Sequence, residues 1–221
     1  MVLSNSQIER YSRQIIVPRI GGIGQERLLA ARVLLVGTIA RLESALAYLT
    51  GAGVGTIFVR AAQDNSAAWM PVIERMRELN SEVNVAIARA IPDNLTLIMA
   101  VVGTDAVLED MRELCTVRWN APVVFARLDR PAKIALLPSR PPCPACADAE
   151  LLMPPAHSGS TAPFVAMVAA VEALKILVQY TPGAKPMLIE LDRYESRTRE
   201  LRTRSAGAGC ACPDATPKAF A

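Results

Sequence analysis

A chain of 221 residues has room for one sizeable core. With 52% hydrophobic but only 5% aromatic residues, that core must be built from Ala, Val, Ile and Leu, a palette that suits parallel strands buried on both faces. The net charge of +3, with bases interleaved among acids as in Asp192-Arg193-Tyr194-Glu195, argues against a nucleic-acid partner.

Ser6 to Ala30 reads as a helical arm broken between Pro18 and Gly24. Arg32-Val-Leu-Leu-Val36 is a short apolar run ended by Gly37, the pattern of a buried strand. Ala40 to Thr50 follows with helical spacing at Leu42, Ala45, Leu46 and Leu49, and Gly51 and Gly53 stop it. Gly55 to Arg60 is a second strand, completing one βαβ unit. The alternation continues with a helix from Met70 to Leu79, in which Pro71 falls in the first turn, and strands at Asn84 to Ala88 and Leu95 to Val102. A helix over Val107 to Thr116 and a strand over Ala121 to Arg127 extend it. This order predicts an α/β, Rossmann-like fold with a mainly parallel sheet and helices on both faces.

The remainder differs. Lys133 to Leu137 is a short strand, and Pro138 to Pro155 is rich in Pro and Cys. Ala162 to Tyr180 is apolar enough to be mistaken for a membrane span, but Glu172 and Lys175 interrupt it, so a buried core helix is expected and no membrane partner. Met187 to Leu191 and Thr198 to Arg202 read as late antiparallel strands. The expected division is an arm over 1–30, the α/β domain over 31–204 and a tail over 205–221 that carries Cys210 and Cys212. Met1 to Arg10 lacks the apolar region of a signal peptide, which predicts a cytoplasmic protein whose five cysteines are thiols.

The chain resembles the ThiF/MoeB/HesA family, bacterial relatives of ubiquitin-activating enzymes. The resemblance is carried in chain order by Arg10-Tyr-Ser-Arg-Gln-Ile-Ile16, Gly24-Gln-Glu26, Arg32-Val-Leu-Leu-Val-Gly37, Gly51-Ala-Gly-Val-Gly55 and Val102-Gly-Thr-Asp105. It continues in Pro142-Cys-Pro-Ala-Cys146, Ala162-Pro163 with Glu172-Ala-Leu-Lys175, and Cys210-Ala-Cys212. It implies ATP and Mg²⁺ binding and adenylation of the C-terminal glycine of a ubiquitin-like or sulfur-carrier protein. It also implies a dimer in which Arg13 reaches the partner subunit's nucleotide, and a metal carboxylate at Asp105. The other readings are a surface salt bridge for Arg13 and an N-cap, for the helix starting near Val107, for Asp105.

Several positions depart from that chemistry. A phosphate cradle needs G-x-G-x-x-G after the first strand, because only glycine lets the backbone approach phosphates closely. Here Gly37 is followed by Ile39 and Leu42 where glycines are needed, which predicts side chains in phosphate space, and by Glu43, whose charge would repel a triphosphate. Arg41 is the one residue that could still attract an anion, or it is simply solvent-exposed. Arg60 ends the second strand where the family places an acid for ribose hydroxyls. An arginine there can instead favour a 2′-phosphate, which keeps an NAD(P)-dependent oxidoreductase as a third reading. Only Ala61 to Trp69 separates that strand from the next helix, too little for the family's polyphosphate ligands.

Cys143-Pro-Ala-Cys146 has the spacing at which two thiolates reach one tetrahedral ion, and the resemblance pairs it with Cys210 and Cys212 in a closed structural Cys₄ zinc site. The C-x-C spacing of the second pair is tighter than usual. Cys115 follows Met111 and Leu114 at helical spacing, as a core thiol would. His157 is the only histidine, so no triad is available. These features predict an activating-enzyme fold with ATP chemistry weakened or lost, acting as a non-catalytic partner of an active homologue or of a carrier protein. The rival is an active adenylyltransferase using Asp105, Arg13 and the nucleotide residues Gly37 and Arg41.

Overall fold

The computed structural model describes residues 3–61, 66–116, 121–137, 144, 149–153, 162–180, 185–192 and 195–201. Their strands form one eight-stranded sheet. The strands are β1 (Arg32–Gly37), β2 (Thr56–Ala61), β3 (Asn84–Ile87), β4 (Leu97–Val102), β5 (Val123–Arg127), β6 (Ala132–Leu137), β7 (Met187–Leu191) and β8 (Ser196–Glu200). They lie in the order β3-β2-β1-β4-β5-β6-β7-β8. The first five pair in parallel, and β6, β7 and β8 continue the sheet antiparallel. The mainly parallel sheet with late antiparallel strands is thus the one expected, with β6 joining the antiparallel set.

The helices are α1 (Asn5–Arg10), α2 (Ser12–Ile15), α3 (Gly21–Ala30), α4 (Ile39–Ala52), α5 (Ser66–Leu79), α6 (Asp105–Thr116) and α7 (Ala162–Leu177), with a 3₁₀ turn at Ala149–Leu152. Alternate strand residues divide the core in two, because successive side chains of a strand point to opposite faces. Val33, Leu35, Ile57, Val59, Met99 and Val101 pack with α4, α5 and α7. Leu34, Val36, Ile98, Ala100 and Phe125 pack on the other face with Val107, Leu108, Met111 and Leu114 of α6.

The apolar segment near the C-terminal end of the described chain is a core helix, as expected. α7 buries Ala166, Ala169, Ala170 and Ala173, small residues that let it lie close along α4. No helix among the described residues is long and apolar enough to cross a membrane.

Among the boundaries that differ from expectation are the starts of two helices. α5 starts at Ser66 rather than Met70, and it holds Trp69, 1% exposed, in the core. Pro71 therefore lies inside the helix, where it removes one backbone hydrogen bond. α6 starts at Asp105 rather than near Val107.

Candidate functional site

The strand order reverses between β1 and β4, so the crevice at their carboxyl ends is the topological switch point, the place where open α/β sheets bind ligands. Gly37, Arg41, Gly103 and Asp105 meet this crevice: β1 ends at Gly37, α4 follows at Ile39, β4 ends at Val102 and α6 begins at Asp105.

Leu42 does not project into phosphate space, contrary to the expectation from its position. It is fully buried in the core on the α4 side. A Cβ placed on Gly37 would stand 3.1 Å from Leu42 Cγ and Cδ1 and 3.2 Å from the Val101 carbonyl oxygen. Gly37 thus serves close packing of α4 on the sheet. Ile39 is half-buried against the same core. Glu43 forms an ion pair with Arg75 of α5, so its charge is drawn toward the neighbouring helix.

Arg41 is not a fully exposed side chain. It is half-buried, its Nη2 donates to the Gly103 carbonyl at 3.1 Å, and its Nη1 donates to Thr38 Oγ1 at 3.4 Å. Burial pulls its guanidinium below the ordinary range, although arginine stays charged throughout.

Arg60 is not the last residue of β2. The strand runs on to Ala61, level with Gly37, so an alanine stands at the strand end. Arg60 turns toward α6, where its Nε meets Asp110 Oδ1 at 3.3 Å and its Nη2 meets Glu113 Oε2 at 2.7 Å. Both carboxylates hold the guanidinium that the NADP reading needs for a 2′-phosphate. Burial raises the Asp110 carboxyl above its usual range; Arg60 opposes this by charge and hydrogen bond, and Glu113 adds to it.

Asp105 is exposed in the first turn of α6. The cap weighed for it belongs to Thr104, whose Oγ1 accepts from Val107 N at 3.4 Å. Arg13, on α2, is exposed and has no ion pair among the described residues, so the surface salt bridge weighed for it is not formed there. Its neighbours in the motif face inward. Tyr11 is buried and accepts from Asn80 Nδ2 at 2.9 Å, and Gln14 Nε2 donates to the Ala52 carbonyl at 3.4 Å.

Arg127, which ends β5 beside Val102, is the residue sequence reasoning passed over. It is buried and ion-paired with Asp129, Nε to Oδ2 at 2.6 Å. A strand-ending arginine followed two residues later by an acid was the available signal. A cavity of about 180 Å³ opens elsewhere, on the antiparallel half, between Pro131, Glu190, Asp192, Glu195 and Arg197. Cys143, Cys146, Cys210, Cys212 and His157 lie outside the described residues. Among the described residues no cluster of three or more His, Cys, Asp or Glu could hold a metal ion.

The Arg41 side chain crosses this crevice from Thr38 to the Gly103 carbonyl, and β2 ends in an alanine where an acid was expected for ribose hydroxyls.

No family model matches the chain. Protein HesA, vegetative, of Trichormus variabilis is 27% identical over 244 residues, covering 92% of this chain and 89% of that protein. Those 244 aligned positions exceed the whole of a 221-residue chain, so the HesA protein carries segments with no counterpart here. The adenylyltransferase and sulfurtransferase MOCS3 of Culex quinquefasciatus is 27% identical over 96% of this chain, which spans 57% of that protein's length. The crystal structure of E. coli MccB with ATP has the same fold, with a TM-score of 0.61 at 16% identity over 95% of this chain and 75% of that one. Collinear motifs, strand order and relatives agree: along nearly its whole length the chain is similar to members of the ThiF/MoeB/HesA family, and it has the Rossmann-like fold of the activating enzymes.

Proposed function

We propose that this protein is a non-catalytic or weakly active member of the activating-enzyme family that docks a ubiquitin-like or sulfur-carrier protein, or an active homologue. The observation that carries the reading is the occupied switch point: Arg41 spans from Thr38 to the Gly103 carbonyl where phosphates would have to approach. Arg60, held by Asp110 and Glu113, and Ala61 at the end of β2 add to it, because among the described residues no acid stands at that strand end to receive ribose hydroxyls. Exposed Arg13, with Ile16 and Ile23 exposed on the same arm, supports a dimeric assembly, with itself or with an active homologue. The donor set Cys143, Cys146, Cys210 and Cys212 is that of a structural zinc site, which would fasten the tail to the body and contribute folding energy. The proposed compartment is the cytoplasm.

The test is isothermal titration with Mg-ATP together with pyrophosphate exchange in the presence of a candidate carrier protein. No saturable binding and no exchange are expected. Micromolar binding with exchange would defeat the reading and favour active adenylation, the alternative that exposed Asp105 keeps open as a metal carboxylate.

A further inference from the structure

We infer that Arg41 is an internal latch whose guanidinium closes the crevice between β1 and β4 and keeps nucleotide phosphates off the first turn of α4. The inference rests on the reading just proposed and names the residue responsible for it. The sequence suggests that the lost glycines block the site, but the geometry places the obstruction elsewhere. Leu42 is turned into the core against Gly37, and Glu43 is drawn away to Arg75. The side chain that joins the two strand ends is Arg41, through Thr38 Oγ1 on one side and the Gly103 carbonyl on the other. It lies directly on the Gly103 backbone: a Cβ there would come within 2.6 Å of Arg41 Nε and 2.8 Å of its Cζ.

What lies beneath is still chemically able to receive an anion. The Thr38 side chain makes no capping bond, and Thr38's carbonyl accepts from Arg41 N and Leu42 N. The amides of Ile39 and Ala40 precede any intrahelical partner and carry the positive end of the helix dipole. A mobile arginine beside them would attract phosphate. This one has a donor on each terminal nitrogen committed to a neutral acceptor of its own chain, and it lies across Gly103. A phosphate must first break both bonds and leave the Gly103 carbonyl unpaired.

The experiment compares Mg-ATP binding by the wild-type full chain with Arg41→Ala and Arg41→Leu, measured by equilibrium dialysis, with circular dichroism as the check on folding. Both variants are expected to bind Mg-ATP saturably where wild type does not, at least roughly tenfold more tightly than the limit set for wild type. Arg41→Leu keeps a bulky stem over Gly103 and so remains informative should the alanine variant unfold. Thr38→Val, which removes one acceptor and little volume, is expected to shift affinity in the same direction by less. Unchanged or weaker binding by the folded variants would overturn the latch. It would leave the non-catalytic reading standing, whereas tight binding by wild type would sink that reading and leave the latch to be judged by the ratio of variant to wild type.

Discussion

Tyr11 lies against Gly53 so closely that a Cβ on the glycine would stand 2.7 Å from the tyrosine ring and its hydroxyl. Gly53 ends α4 in the left-handed conformation, with φ of 85°, and Val54 N reaches back to the Leu49 carbonyl. The arm thereby seals the far end of the helix whose near end forms the switch point. Gly53→Ala combines a strained conformation with a clash, so a loss of about 2 kcal/mol or more is expected by urea unfolding. Tyr11→Phe keeps the ring but leaves an Asn80 amide hydrogen without its partner, and about 1–3 kcal/mol is expected.

Packing of Leu42 on Gly37 is a core contact. Leu42→Ala should cost about 2–5 kcal/mol, read from the unfolding midpoint. It should not create nucleotide binding, because the guanidinium of Arg41 remains in place. A Leu42→Ala variant that bound Mg-ATP while Arg41→Ala did not would transfer the obstruction to Leu42.

Asp110 gives stability a pH dependence of definite sign. Its carboxyl is raised by burial in the folded chain, so the folded protein holds a proton that the unfolded chain releases at the ordinary Asp value of about 3.9. The contribution of this group is therefore constant below that value and declines as pH rises through the window between the unfolded and the raised folded value. Above the window the penalty is complete. Asp110→Asn should flatten this segment of the stability–pH curve. Urea midpoints measured across the mildly acidic range check it, and an unchanged slope in the variant would assign the dependence to other groups.

Arg60 is tied to the body of the protein, and its replacement should act on folding. Arg60→Leu leaves Asp110 and Glu113 without their cation, so the unfolding midpoint should fall. NADP⁺ should raise the melting temperature of neither protein. A rise in wild type that Arg60→Leu abolishes would revive the dinucleotide reading.

Zinc is tested by elemental analysis of the purified full chain. One zinc per chain is expected, with Cys143→Ser and Cys210→Ser each lowering both the metal content and the melting temperature. A folded, metal-free wild-type protein would remove the site.

The sequence by itself determined the element order, the parallel sheet and the resemblance to the ThiF/MoeB/HesA proteins. Each follows from local patterning: apolar runs of strand length, helical spacing between them, and glycine-containing turns in a fixed order. Gly37 as the end of β1 and Val102 as the end of β4 were legible for the same reason. The state of the switch point was decided only in three dimensions. A sequence position tells which residue stands where a glycine is wanted, but not which way its side chain turns. Leu42 turned into the core because burial of an apolar side chain against Gly37 is favourable. Arg41 turned across Gly103 because its donors found acceptors 62 and 3 residues away along the chain. Arg60 likewise met Asp110 and Glu113, 50 and 53 residues away, on a helix that the sheet brings alongside. Partners so distant in sequence are set by strand order, not by spacing, which is why the fold was readable in advance and the occupant of the site was not.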